Sequence, residues 1–331
     1  MKRIVSLVLC AVTVAALALT SCTKAADTDV SDSAGIGRET LPPETMPPVA
    51  DPEPVWQIID GKYVYNIPPR DERGLERLGE MSTMSTAAFD DQPDDWYFGK
   101  TTRDSATGEV SYGWERSAEV LAAVKQYGVI YRGDESRKVC YLTFDCGFES
   151  GNTSKILDIL AEKSAPATFF VNGHYLESAS DMVGRMLDEG HIVASHAYHH
   201  NNMTKMTVDE FMKEINDLDD TFRAKFPDAA PIIYFRPPSG SCNAWTFKLA
   251  RLMGYTTVMW SWAYYDYDTE NQPTADAALE KIMSGLHNGE VFLLHPESDT
   301  NTAVLGEVID KIRAAGYEIL PLCDYEPLSE S

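Results

Sequence analysis

Val-Cys-Tyr-Leu-Thr-Phe at residues 139–144, Asn-Thr-Ser-Lys-Ile-Leu-Asp-Ile-Leu-Ala-Glu-Lys at 152–163 and Thr-Phe-Phe-Val at 168–171 form the stretch that decides the fold. The outer two segments are short apolar runs with no polar alternation, the pattern of strands buried on both faces. The middle one brings Ile156, Ile159 and Leu160 to one side of a helix. Two buried strands joined by a helical crossover run parallel.

The same alternation continues to the end of the chain. A helix at 182–189 stops at Gly190, a position suited to a left-handed cap, and a strand at 191–195 follows. Thr207-Val-Asp-Glu210 is a capping box opening a helix to about residue 226, before a strand at 232–235. Helix 245–253, strand 255–260, helix 275–284, strand 291–294, helix 303–315 and strand 317–320 complete the series. About seven parallel strands without a Gly-rich dinucleotide fingerprint predict a closed or nearly closed, deformed (β/α) barrel rather than an open doubly wound sheet.

Outward from this core the chain changes character. Lys2 and Arg3 precede an apolar core at 4–19, and Leu-Thr-Ser-Cys at 19–22 resembles a lipobox. Residues 1–21 are therefore expected to be a lipoprotein signal peptide and Cys22 to be lipidated. The anchor would hold the protein outside the bacterial cell membrane, facing the cell wall. Residues 22–54, rich in Ala, Thr, Asp, Glu and Pro, read as a disordered linker. Residues 55–130 read as an N-terminal extension packing on the barrel, with a hairpin at 56–65, a short helix at 74–81 and a helix at 117–127 that puts Val120, Leu121 and Val124 on one side. The main domain spans 131–331. A formal charge of -23 argues against duplex nucleic acid and against adsorption to anionic lipid by charge alone.

Five reactive residues fall just after expected strands: Asp145, His196, Arg236, Asp266 and His295. In a parallel barrel the carboxyl ends of the strands share one face, and that face carries the active site. Two carboxylates, a guanidinium, the imidazoles of His196 and His200 at i and i+4, and the further imidazole of His295 are the parts of a metal-assisted hydrolase.

The segments that hold these residues resemble the five motifs of the polysaccharide deacetylase family (carbohydrate esterase family 4, the NodB homology domain). They are Thr-Phe-Asp-Cys-Gly at 143–147, His-Ala-Tyr-His-His at 196–200, Arg-Pro-Pro-Ser-Gly at 236–240, Tyr-Asp-Tyr at 265–267 and Phe-Leu-Leu-His at 292–295. The resemblance implies a hydrolase of amide bonds that removes acetyl groups from amino sugars with a divalent metal, zinc being expected. It makes Asp145 the general base, Arg236 its positioning partner, His295 the general acid and Asp266 the group that tunes it. His196 and His200 would be metal ligands, the Ser239 backbone N–H would hold the oxyanion, and Leu293 and Tyr267 would contact substrate. Further strings are similar to the sporulation-type muramic acid de-N-acetylases: Asp-Trp-Tyr-Phe-Gly at 95–99, Tyr-Arg-Gly at 131–133, Trp-Ser-Trp-Ala-Tyr-Tyr-Asp at 260–266 and Leu-His-Pro-Glu-Ser at 294–298. They imply action on peptide-stripped muramic acid, whose freed lactyl carboxylate would meet a cationic group and whose released amine could close to a muramic δ-lactam within its own sugar.

Cys146 departs from the family pattern, which usually has a second Asp as third metal ligand there. Three readings stay open: a thiolate on zinc, a bystander with water in its place, or a disulfide. Ala197 replaces a small hydroxyl residue and so removes a loop hydrogen bond. His174 and His191 read as structural, His287 as a surface residue at a helix end, and His199 as an orienting group; the residues alone do not separate His199 from His200 as the ligand, and it is the resemblance that favours His200. A peptidoglycan or chitin-like N-acetylglucosamine deacetylase is the runner-up reading. A non-catalytic glycan-binding protein is the alternative of another class, although such a module would have no use for the full acid/base set.

Overall fold

The computed structural model describes residues 56–59, 62–65, 94–96, 100–103, 110–113 and 118–325. The signal peptide, the linker and the helix expected at 74–81 lie outside the described residues. The hairpin expected near the start is β1 (Trp56–Ile59) paired with β2 (Lys62–Tyr65). The short β3 (Asp94–Asp95) follows, then a second hairpin of β4 (Lys100–Arg103) and β5 (Val110–Gly113). Helix α1 (Ala118–Tyr127) buries Val120, Ala123 and Val124, and Leu121 is exposed rather than on that side. Residues three and four apart share a helical face, whereas adjacent ones do not.

The main sheet has seven strands, all parallel: β6 (Val139–Cys146), β7 (Ala167–Val171), β8 (Ile192–Ser195), β9 (Tyr234–Phe235), β11 (Thr256–Thr257), β12 (Glu290–Leu294) and β13 (Glu318–Ile319). The order is β11-β9-β8-β7-β6-β12, with β13 paired to the start of β6. The short β10 (Ser241–Cys242) stands apart and pairs antiparallel with β3. The crossover helices are α2 (Thr153–Lys163), α3 (Gly173–Ser178), α4 (Ser180–Asp188), α5 (Val208–Lys225), α6 (Ala244–Leu252), α7 (Ala275–Gly285) and α8 (Asp299–Ala314). The capping box of Thr207 and Glu210 opens α5 as its spacing requires. Helix α3 was not legible in the apolar pattern; Asn172 caps it by accepting the Tyr175 N–H at 2.8 Å.

All eight residues of β6 are buried, and its side chains alternate between two cores. Cys140, Leu142, Phe144 and Cys146 join the core between sheet and helices, with Ile156, Leu160, Met186, Phe211 and Ile309. Val139 and Tyr141 join the core inside the curl, with Phe170, Val258, Val291 and Leu293. Val120 and Val124 of α1 and Trp96 belong to this inner core as well.

The curl closes through single bridges rather than a continuous ladder, which is what deforms the barrel. Val258 bridges Ile130, and Trp262 bridges Phe292 of β12. The strand expected at 255–260 is only two residues long because the carbonyls of Val258 and Met259 are taken by the Arg236 guanidinium, at 3.0 and 3.1 Å. Gly289 seals the end of the barrel where β12 begins. Its φ is +72°, and a Cβ there would fall 2.4 Å from the Gly133 carbonyl oxygen, so only glycine fits.

Candidate active site

Asp145 is the penultimate residue of β6 and points into the curl, where burial would raise its pKa. The Arg236 guanidinium, with Nη1 at 2.7 Å from Oδ1, outweighs burial together with His196 and His295 and holds the carboxyl below the usual range. Arg236 is completely buried, lies over the Phe170 ring and adds its two bonds to the Val258 and Met259 carbonyls. Its own carbonyl bonds His196 Nδ1 at 2.9 Å. That contact places the ring proton on Nδ1 and leaves the Nε2 lone pair free, 3.4 Å from Asp145 Oδ2.

His196 and His200 lie edge to face with ring centroids 4.8 Å apart. Burial pushes His196 down to about 4 and also lowers His200. The loop that brings them together carries two left-handed non-glycine residues, Ala197 (φ 59°) and His200 (φ 58°). It lacks a hydroxyl at Ala197 and is held instead by Glu214 of α5, which sequence reasoning missed. Glu214 Oε2 accepts the Tyr198 and His199 N–H groups at 3.1 and 2.8 Å, and Oε1 lies 2.8 Å from His199 Nδ1. The available signal was a charged residue on the face of α5 that otherwise buries Phe211, Ile215 and Leu218.

His295 follows β12. Burial by itself would depress its pKa, but Asp266 outweighs it and holds the imidazole up at about 9, as a cation. Asp266 is fully buried, with Oδ1 2.7 Å from His295 Nδ1 and Oδ2 accepting the His295 N–H at 2.9 Å. Asn301, in the first turn of α8, donates to Asp266 Oδ2 at 2.6 Å and to the His295 carbonyl at 3.2 Å, and receives the Tyr264 hydroxyl. Nothing in the local sequence marks Asn301.

A cavity of about 370 Å³ gathers these groups. Asp145, His196, His200, Ser239, Tyr267, Leu293 and His295 all line it, while Arg236 and Asp266 stand buried behind it. Trp96 adds a wall from the N-terminal extension. Its N–H bonds the Gly240 carbonyl at 2.9 Å, and its indole donates to the Trp260 carbonyl at 2.8 Å. Gly240 makes this packing possible, since a Cβ there would lie 2.6 Å from the Trp260 ring. Glu297 also lines the cavity and was not singled out from the sequence.

Cys146 is the one candidate ligand that the structure does not bring here. The strand runs two residues further than expected, so alternation sends Asp145 and Cys146 to opposite faces. The thiol lies in the helix-side core, burial pushes its pKa well above the usual thiol range, and it is a free cysteine. Among the described residues no three His, Cys, Asp or Glu side chains converge as a metal-binding group. The two neutral imidazoles, one pinned by a backbone carbonyl and facing a carboxylate, do suit a divalent cation, so the residues offer a two-imidazole site and no thiolate. Of the other histidines, His287 is buried rather than on the surface, with Nε2 2.9 Å from Ser261 Oγ and Nδ1 2.8 Å from the Gly285 carbonyl. His191 is buried, and His174 is exposed.

The polysaccharide deacetylase family pattern matches residues 132–258. The chain is similar to an uncharacterized 30.6 kDa protein in the fumA 3'region of Geobacillus stearothermophilus, 36% identical over 242 residues, covering 73% of this chain and 88% of that one. It is also similar to the peptidoglycan-N-acetylmuramic acid deacetylase PdaA of Bacillus subtilis, 31% identical over 224 residues, covering 65% of this chain and 85% of the relative. The solved structure of Bacillus subtilis PdaA, a family 4 carbohydrate esterase, superposes with a TM-score of 0.64 at 30% identity, covering 71% of this chain and 97% of that one.

The His295–Asp266 pair sets a testable pH dependence. Because the folded pKa of about 9 lies above the ordinary 6.5, the pair's contribution to stability is fully present below pH 6.5 and is lost as pH rises through about 9. In Asp266→Asn, burial acts without the opposing charge, and the His295 pKa is expected to fall by more than about one unit. NMR titration of the His295 ring measures it; a value still near 9 in the variant would show that Asp266 does not set it.

Proposed function

Since the chain belongs to the polysaccharide deacetylase family, we propose that it hydrolyses the N-acetyl groups of peptidoglycan amino sugars, with muramic acid residues of peptide-stripped strands as its substrate. One observation carries the hydrolase reading: a carboxylate held anionic and an imidazole held cationic face the same cavity. Two groups whose environments push their ionisation apart are a base and an acid ready at the same pH.

His196 and His200 would hold the divalent cation, zinc in this reading, which when bound polarises the amide carbonyl as a Lewis acid. Asp145, kept ionised by Arg236, takes the proton of the attacking water. The backbone N–H of Ser239, in the turn at Pro238–Gly240, stabilises the developing oxyanion. His295 delivers its proton to the leaving amine, which is expelled poorly unless protonated. Leu293 and Tyr267 shape the wall against the acetyl group and sugar. A non-catalytic glycan-binding role does not need the Asp145–Arg236 and His295–Asp266 pairs.

The muramic acid specificity draws on the PdaA likeness and on chemistry. Removal of the stem peptide frees a lactyl carboxylate and removes bulk from the barrel mouth. Among the described residues lining the cavity, His295 is the cation available to that carboxylate. Incubation of the purified protein with peptide-free and peptide-bearing strands is expected to release acetate from muramic acid residues of the former only. Equal release from both, or release from glucosamine residues alone, would overturn the muramic assignment.

The metal reading has its own test. Zinc binding followed by calorimetry is expected to disappear in His196→Ala and to be unchanged in Cys146→Ser, because the thiol faces the helix-side core. A loss of zinc affinity in Cys146→Ser would restore the thiolate ligand.

The location follows the leader. An apolar core ending in Leu-Thr-Ser-Cys at 19–22 supports lipidation of Cys22 and tethering outside the cell membrane, beside peptidoglycan. The full chain is expected to partition into detergent and Cys22→Ala into the aqueous phase; wild-type protein cleaved beyond Cys22 and free in the medium would refute the anchor.

A further inference from the structure

Exposed large apolar side chains are few among the described residues, and they are not scattered. Leu121 lies on α1, whereas Phe148, Tyr265 and Tyr267, which are 49%, 49% and 50% exposed, gather at the active-site cavity. Phe148 and Tyr267 line it. Tyr265 stands outside it, with its ring 4.5 Å from the Tyr267 ring, which meets the His295 ring edge-on at 5.8 Å. Single exposed apolar residues are ordinary on a surface, but a cluster at the rim of a cavity marks a ligand-binding groove.

The sheet topology sets these rings on opposite sides of His295. Phe292 of β12 pairs with Leu142 of β6 on one edge and bridges Trp262 on the other, both in parallel. The loops beyond follow the same order, with Phe148 after β6, His295 after β12, and Tyr265 and Tyr267 after Trp262. Both flanks are held in place. Glu297 Oε1, two residues past His295, accepts the Gly147 and Phe148 N–H groups at 2.9 and 3.1 Å. Gln272 Nε2 donates to the Asp266 and Asp268 carbonyls at 2.8 and 2.6 Å, and Asp268 in turn accepts the Glu270 N–H at 3.0 Å. Rings fixed in advance lose little further freedom when a ligand settles on them.

We propose that the Tyr265–Tyr267 pair and Phe148 form two sugar-binding subsites flanking His295, on which the residues linked to the one being deacetylated stack, so that the enzyme selects glycan strands over single amino sugars. The proposal rests on the peptidoglycan reading above, but not on which amino sugar loses its acetyl group. A cavity of about 370 Å³ is at the small end of ligand pockets and takes the reacting residue, so the linked residues of a strand lie over its rim. In a β-linked hexosamine the hydroxyl and acetamido groups point outward from the ring edge, and the two faces present C–H groups. An aromatic ring therefore covers such a face without taking a hydroxyl out of water, and Tyr adds a polar tip that stays wet.

The test is a length series of peptide-free peptidoglycan fragments, from the single N-acetylated amino sugar to the hexasaccharide, with kcat/KM measured at each length. In wild type, kcat/KM is expected to rise by about tenfold or more along the series. Tyr265→Ala and Phe148→Ala should each cut that gain to about threefold or less, and the double variant should abolish it. Tyr265→Phe and Phe148→Tyr keep a ring and are expected to retain the gain within about twofold. The readout is the ratio between long and short substrates, whatever a variant does to the single sugar. A wild-type kcat/KM that does not change with length overturns the proposal without any variant. So do alanine variants that lower kcat/KM by one factor at every length, which would leave the rings only shaping the surroundings of His295. Turnover at no length overturns the deacetylase reading instead, and calorimetric binding of the hexasaccharide then decides the subsites: an affinity about tenfold weaker in the double variant upholds them, and an equal affinity overturns them.

Discussion

A single buried cation, the guanidinium of Arg236, ties the barrel to its chemistry. Taking it out of water is tolerable only because Asp145 neutralises it and the carbonyls of Val258 and Met259 complete its hydrogen bonding. Those two carbonyls come from the segment that would otherwise extend β11, so the ion pair and the irregular closure of the sheet are one feature. The Arg236 carbonyl then orients His196, so the residue positions a carboxylate with its side chain and an imidazole with its backbone. Removing one partner of such a pair leaves an uncompensated buried charge, at a cost of about 3–5 kcal/mol.

Around this fixed point the site separates its ionisable groups by environment. Asp145 faces a guanidinium and stays anionic, while His295 faces Asp266 and stays cationic to about 9. His196, more deeply buried and aimed at the already neutralised Asp145–Arg236 pair, is driven down to about 4 by that burial. The same imidazole group is thus neutral in one corner and cationic in another. Each state is enforced by groups outside the cavity: Arg236 behind Asp145, and Asp266 with Asn301 behind His295.

The N-terminal extension takes part in the site rather than only covering the barrel. Through Trp96 and the pairing of β3 with β10 it holds the turn that carries Ser239. The resemblance of the Asp-Trp-Tyr-Phe-Gly string at 95–99 to the muramic acid branch pointed to this region, but not to the contact of Trp96 with Gly240 and Trp260.

Local pattern determined the alternation of elements, the parallel sheet and the placement of Asp145, His196, Arg236 and His295 at the carboxyl ends of strands, because apolar periodicity and capping are short-range properties. Resemblance of motifs then supplied Ser239, Leu293 and Tyr267, which do line the cavity. Local pattern did not determine the direction of Cys146, which turned on β6 continuing two residues past Phe144 and so on one step of strand alternation. Nor did it mark Glu214, Asn301 or Glu297, ordinary polar residues on helices and loops whose roles exist only through the backbone and side chains they meet. Those partners lie far along the chain: Asp145 meets Arg236 across 91 residues, and Glu297 meets Gly147 across 150. Ionisation and loop placement depend on such long-range neighbours and on burial, and only the folded chain brings them together.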